Sequence, residues 1–264
     1  MIIVGELINT SRKAIAEAVA KKDMQYIQDI AKKQVEAGAH YVDVNAGTLV
    51  NDEIEVLPWL VKIVQDVVDI PLCIDSPNPK AIQKALEQHK GRAMINSITA
   101  EKDRFSQVLP LITEYDASII ALCMDDEIGM PDTAEQRLAI VDRLAEDLRG
   151  AGVDEGDIFF DPLIKPVSVN INFGKEVLDT VSAIKEKYPN THVTCGLSNI
   201  SFGLPARQDL NQAFLVMCMT NGMDSAIINP LDDRLMSLLI STNTLLGNDR
   251  YCKEFLRFQR SKMK

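Results

Sequence analysis

Apolar residues along the 264-residue chain follow two spacings that alternate from end to end. Short runs rich in Ile, Val and Leu at 2–4, 41–44, 72–74, 93–95, 118–122, 158–160, 192–195 and 225–228 have the near-continuous hydrophobicity of parallel strands buried on both faces. Between and after them, stretches at 23–36, 54–68, 79–88, 103–114, 133–149, 174–187, 209–220 and 232–245 carry apolar residues three and four positions apart, the helical period. Eight strands, each followed by a helix, predict an α/β protein, and such regular alternation at this length predicts a single (β/α)8 TIM barrel rather than an open doubly wound sheet. No linker rich in Gly, Ser or Pro divides the chain, so residues 1–264 read as one domain. Segment 123–132, CMDDEIGMPD, is the longest polar interruption before a helix and predicts a flexible loop at the barrel mouth. The tail 249–264, DRYCKEFLRFQRSKMK, reads as a basic helical stretch that packs on the barrel's base or on a partner subunit.

Charge and cysteine usage narrow the function classes. The chain has 28 Lys and Arg against 38 Asp and Glu, a formal charge of −10, which argues against a broad phosphate-binding surface and hence against nucleic acid. Its five cysteines are odd in number, include no CxxC pair and lie mostly within apolar runs, as expected of reduced thiols in a cytoplasmic protein. The opening MIIVGELINTSRK has no basic leader or small-residue cleavage pattern and reads as a first strand. No apolar run reaches the ~20 residues of a membrane span.

In a barrel of this kind the chemistry sits at the C-terminal ends of the strands, so the residues that follow each apolar run are the candidates. They are Glu6 and Asn9, Asp43 and Asn45, Asp75 and Ser76, Asn96 and Ser97, Asp161 with Pro162, then Gly196, Ser198 and Asn199. The ring is almost entirely carboxylates and carboxamides. A carboxylate accepts two parallel N–H bonds from an amidine-like edge, and an amide both donates and accepts, which suits a flat heterocycle such as a reduced pterin. Burying Asp75 and Asp161 at the ends of apolar strands is costly without partners, which marks them as functional, whereas Asp43 serves equally well to orient its neighbours. His40, His89 and His192 fall at strand starts or on a helix, the wrong end for catalysis, and with no Cys or His cluster at ligand spacing no metal site is expected. Lys165, after the sixth strand, leaves open a Schiff-base aldolase. A barrel that binds its ligand without catalysis is a further alternative.

At Asp75-Ser, Asn96-Ser, Asp161-Pro-Leu and Gly196-Leu-Ser-Asn199 the chain resembles the pterin-binding methyltransferases, in particular the methyltetrahydrofolate/corrinoid protein methyltransferases. The likeness runs nearly end to end and includes IIVGELIN, VDVNAG, CIDSPNPKAI, RAMINSITAE and DPLI. It implies that tetrahydrofolate or methyltetrahydrofolate is a substrate, that Asp75, Asn96 and Asp161 hydrogen-bond the pterin, and that Gly196 and Ser198 shape its pocket. It implies also that Asn199 faces the nitrogen that exchanges the methyl group, that Arg207 approaches the outer part of the folate, and that Glu6, Asp43 and Asn45 support the site from behind. The resemblance departs at Ile200, Ser201, Phe202 and Gly203, where a polar stretch is expected. A corrinoid (cobalamin) is implied, yet the chain has no Asp-x-His-x-x-Gly segment to hold one, so a separate corrinoid protein is the expected partner. The resemblance and the apolar late helices point to a homodimer. A dihydropteroate synthase-like enzyme is a near alternative that calls for a basic cluster at the mouth, where Arg207 is the obvious candidate.

Overall fold

The computed structural model describes residues 1–262. Eight strands run in the order expected: β1 (Ile2–Asn9), β2 (Tyr41–Asn45), β3 (Leu72–Asp75), β4 (Met94–Thr99), β5 (Ser118–Leu122), β6 (Ile158–Asp161), β7 (His192–Val193) and β8 (Ser225–Ile228). Every neighbouring pair is parallel, from β8 beside β1 round to β6 beside β7. An isolated parallel bridge between Gly196 and Ile227 closes the ring, with the Ile227 N–H donating to the Cys195 carbonyl at 2.9 Å. The protein is a single (β/α)8 barrel.

Strand alternation separates two apolar populations. One face of the strands packs Ile3, Val42, Val44, Ile74, Ile95, Ile119 and Phe160 into the large layer beneath the helices. The other points Val4, Cys73, Met94, Ile120 and Phe159 inward as a small plug, with Ile2, Tyr41 and Ile227 against it. Continuing that inward alternation toward the strand ends replaces hydrocarbon by Asp43, Asn45, Asp75, Asn96 and Asp161. The barrel is therefore dry below and polar above.

The eight expected helices are present as α2 (Met24–Glu36), α3 (Glu53–Gln65), α4 (Pro79–Leu86), α5 (Lys102–Glu114), α6 (Ala134–Gly150), α7 (Phe173–Lys187), α8 (Arg207–Thr220) and α9 (Asp233–Leu245). Their starts follow local chemistry: Asp23, Asn78 and Asp232 accept bonds from first-turn N–H groups, and Thr133 with Gln136 forms a reciprocal capping box. Helix α1 (Lys13–Ala20) is additional; its eight residues bury only Ile15, Ala18 and Val19, too short a stripe to stand out from the loop before α2. The tail forms α10 (Lys253–Lys262), whose Phe258 packs on the core at the barrel's base. Met263 and Lys264 lie outside the described residues.

The segment 123–132, expected to be flexible, is an organised turn. Buried Asp125 accepts from the Glu127 and Ile128 N–H groups and pairs with Arg143, while its backbone bridges Gly129. A polar run signals exposure, and here its first carboxylate is turned inward to satisfy the loop's own backbone. The three histidines are structural. His40 accepts from the Ile3 N–H at 3.1 Å, His89 from the Leu72 N–H at 3.1 Å, and His192 pairs with Asp224 at 3.0 Å, all at strand starts.

Candidate functional site

Register aligns the polar residues across the barrel mouth. Asn9 pairs with Asn45, Asn45 with Asp75, and Asp75 with Asn96, so four strands present one continuous row of amides and acids. The Asn45 side chain faces Asp75, and Asp43, one inward position deeper, meets Asn96 and the Cys73 thiol. Burial, opposed by Asn45 and by the Arg104 guanidinium, pushes Asp75 up to about 6. Asp43 is only 2% exposed and is held well above the ordinary carboxylate range by burial and by the Asp75 charge. Its Oδ1 has no hydrogen-bond partner. Glu6 is raised by burial and drawn back by Arg12, whose Nη2 donates to it at 2.6 Å.

Across the mouth, Asp161 organises the other wall. Its Oδ1 accepts from the Leu163 N–H at 2.8 Å, and the Gly196 N–H faces it. Burial pushes this carboxyl up to about 6, with those two N–H groups and then Arg137 opposing the rise. Leu163 has φ +57°, a left-handed backbone that a branched side chain enters only when the surroundings hold it. Those surroundings include Arg137, which is fully buried: its Nε donates to the Pro162 carbonyl at 2.6 Å, Nη2 to the Leu163 carbonyl at 3.3 Å and Nη1 to the Asp132 carbonyl at 3.0 Å. Arg137→Ala leaves buried carbonyls without donors and opens a cavity behind the turn, so a stability loss of about 3 kcal/mol or more is expected in urea unfolding. An unchanged unfolding midpoint would show that the turn holds itself.

The third wall is a 3-10 turn, Leu197–Ser201, that carries Ser198 and Asn199. Asn199 is exposed at the rim, and a Cβ on Gly196 would come within 3.2 Å of its Nδ2. Glycine there gives the Asn199 amide room to lie back against the turn. Gly196→Ala is accordingly expected to displace that amide and reduce turnover more than stability, checked by rate assay beside thermal melting; equal wild-type turnover would show that the amide's position is immaterial. Arg207 donates through Nη2 to the Ser198 carbonyl at 2.7 Å and through Nε to Ser201 Oγ at 3.1 Å. In this structure it pins the Asn199 turn, a role the sequence did not suggest, and its guanidinium remains at the exposed rim.

Two further arginines were missed. Arg104 and Arg137 lie on helices, where sequence reading takes a long cation for solvated surface, yet both hold mouth-loop carbonyls. An arginine in the first turn of a helix opposes the helix dipole, and that is the one local signal that could have singled them out. Lys165 pairs with Asp132 and lies 4.7 Å over the Phe173 ring, away from the row of acids. Phe202, at the departure from the family pattern, is 64% exposed and faces Arg207. A concavity of about 920 Å³ lies at the opposite end, under α10 between Met1, His40 and Phe258. Barrel-base spaces are filled by packing and turns, and the chemically competent groups converge at the mouth.

A ring of buried and half-buried carboxylates and amides at the open end of a parallel barrel suits a flat, donor-rich heterocycle. The model of the family described as "Pterin binding enzyme" matches residues 5–229, and the chain belongs to that family. Among its relatives, a methylcorrinoid:tetrahydrofolate methyltransferase from Eubacterium limosum is 38% identical over 260 residues, covering 97% of this chain and 94% of the relative. A methionine synthase from Mycobacterium tuberculosis is 34% identical over 242 residues, covering 87% of this chain and 20% of that much longer protein. Of solved structures, a dihydropteroate synthase from Clostridium difficile superposes with a TM-score of 0.73 at 18% identity, covering 93% of this chain and 96% of that one. A Yersinia pestis dihydropteroate synthase gives 0.70 at 12%, covering 93% and 94%. These structural likenesses support the barrel fold.

Proposed function

We propose that this chain moves a methyl group between tetrahydrofolate and the cobalt of a corrinoid carried by a separate protein. The observation that carries the pterin half is the pair of carboxylates, half-buried Asp75 and buried Asp161, both raised to about 6 by lack of solvation and so in want of N–H donors. A pterin's amino group and ring N–H supply such donors to Asp161, while Asp75 and Asn96 take the opposite edge. Asp43, Asn45 and Glu6 hold that edge from below. Ser198 and Gly196 shape the wall beside the ring, and Arg207 at the rim is placed for the folate's outer portion. The methyl half rests on the relative that covers nearly the whole chain and on the Gly-Leu-Ser-Asn turn.

The chemistry follows from the charge on one ring nitrogen, tertiary when methylated and a secondary N–H amine in tetrahydrofolate. Methyl departure requires that nitrogen to carry positive charge by taking up a proton from solvent, whereas methyl arrival requires its lone pair to be free and afterwards returns the N–H proton to solvent. Asn199 can donate a hydrogen bond or accept one, so it assists either direction without committing a proton. The cobalt supplies the other terminus of the transfer when the corrinoid partner is docked on the mouth. The partner protein, a homodimeric assembly and a cytoplasmic location belong to this proposal; no described helix is long and apolar enough to cross a membrane.

The test is cobalt spectroscopy in a mixture of the protein, tetrahydrofolate and a methylated corrinoid protein. Decay of the methyl–cobalt band at a rate proportional to enzyme is expected. Tight folate binding with a static spectrum would make the chain a carrier. Borohydride trapping at Lys165 with a carbonyl substrate would instead favour the aldolase, against which the Lys165–Asp132 pair already argues.

Affinity for tetrahydrofolate is expected to fall as pH drops through about 6, because protonating Asp75 or Asp161 removes an acceptor the pterin needs. Calorimetric titrations across pH 5–8, read against the ligand's own titration, check this; a flat profile would mean that neither carboxylate contacts the ring.

A further inference from the structure

The geometry points to Arg104 as the positioning residue of the pterin-binding edge: it ties the loops after β3 and β4 together so that Asp75 and Asn96 face the ligand as one rigid pair. This rests on the pterin reading above. Arg104 lies in the first turn of α5, where a cation opposes the helix dipole, so the helix itself gains nothing from it there. Its guanidinium is instead committed to three backbone carbonyls. Nε and Nη2 donate to Ser97 O at 2.8 and 2.6 Å, Nη2 also to Ser76 O at 2.9 Å, and Nη1 to Pro77 O at 2.8 Å. Ser76 and Ser97 are the residues immediately after Asp75 and Asn96, and those two are paired in the sheet.

A planar fork can hold two separate loops at fixed spacing, which a single ammonium cannot. The same guanidinium also sets the local charge. Asp75 is faced by the Asn45 amide from β2, by Glu53 from α3 and by Arg104 from α5, and it acts on Asp43 and Cys73 deeper in the barrel. Glu53 is itself bonded to Ser76 Oγ at 2.7 Å, and Glu101 completes the set of charges around Arg104. Arg104 is the one cation acting on Asp75 among the described residues, so it favours the anionic form that accepts N–H bonds.

Two substitutions separate geometry from charge. Arg104→Gln removes both, and Arg104→Lys keeps the charge but not the fork. Tetrahydrofolate affinity is measured anaerobically by calorimetry from pH 5 to 8, with melting temperatures alongside. Arg104→Gln is expected to weaken binding about tenfold at pH 7 and to move the pH at which affinity is half lost upward by about one unit. Arg104→Lys is expected to weaken binding while keeping the wild-type midpoint. Should the glutamine variant fail to fold, the lysine variant decides: wild-type affinity in it overturns the assignment. An unchanged midpoint in Arg104→Gln, with or without a lower melting temperature, overturns it also, since a merely structural arginine would not move that value. Absence of binding by the wild-type protein at every pH contradicts the pterin reading instead.

Discussion

Asn199→Ala is expected to lower methyl-transfer turnover by about 10²–10³-fold, the effect of removing one preorganised hydrogen-bonding group from the reacting centre. Tetrahydrofolate affinity should change far less. The reason is positional. Asp75, Asn96 and Asp161 occupy the strand ends proposed to grip the flat ring, whereas Asn199 stands on the separate Leu197–Ser201 turn at the exposed rim, where the proposal puts the exchanging nitrogen and the docking partner. A group that acts only as charge develops on that nitrogen affects the rate rather than ground-state binding. Single-turnover rates and calorimetric Kd values on the same variant separate the two. Parallel losses in both would mean that Asn199 is simply part of the grip.

Asp161→Asn carries the second large effect, and it acts in opposite directions on binding and on stability. Pterin affinity should fall by about 1–3 kcal/mol, because an amide oxygen cannot replace a carboxylate that accepts charge-assisted bonds. Folding stability responds the other way. The carboxyl is raised from 3.8 to about 6 by burial, so the folded chain holds this proton more tightly than the unfolded one. The wild type therefore loses stability as pH rises through the window from about 4 to 6, and the full penalty is present above it. The amide that replaces the carboxyl cannot titrate. The stability of Asp161→Asn relative to wild type should thus improve by about 2 kcal/mol between pH 4 and pH 7.5, each tenfold difference in proton affinity between the folded and unfolded chain being worth about 1.4 kcal/mol. Urea unfolding at the two pH values measures the difference. A constant offset would show that Asp161 folds with its ordinary ionisation, solvated rather than poised for a ligand.

The barrel was legible because its strands are buried on both faces and its helices on one, so hydrophobic spacing alone separates the elements. Reading one position past each apolar run then found Asp75, Asn96 and Asp161, since inward alternation must end in polar groups where the plug of Val4, Cys73, Met94, Ile120 and Phe159 ends. Besides helix α1, three features escaped. The extent of β1 to Asn9 was hidden because Glu6 and a register shift between Gly5 and Ile8 interrupt its apolar run. The inward turn of Asp125 was hidden because a carboxylate that satisfies its own loop is indistinguishable in sequence from a solvated one. The arginine clamps were hidden because their partners are carbonyl oxygens, which every residue has. Arg104 meets Ser76 and Ser97, Arg137 meets Pro162 and Leu163, and Arg207 meets Ser198. Each of these five carbonyls lies within two residues of a candidate contact. The candidate groups at the mouth were readable in the sequence, and the framework that fixes them was not.

Where the pterin sits is the point on which the methyl-transfer mechanism, the pH dependence and the Arg104 assignment all turn. A crystal structure with tetrahydrofolate bound settles it. The ring should lie across the barrel mouth with one edge on Asp75 and Asn96, its amino group on Asp161, and the methyl-exchanging nitrogen toward Asn199. Density for the ring in the concavity beneath α10, or at the mouth without contact to Asp75 and Asp161, would contradict the account.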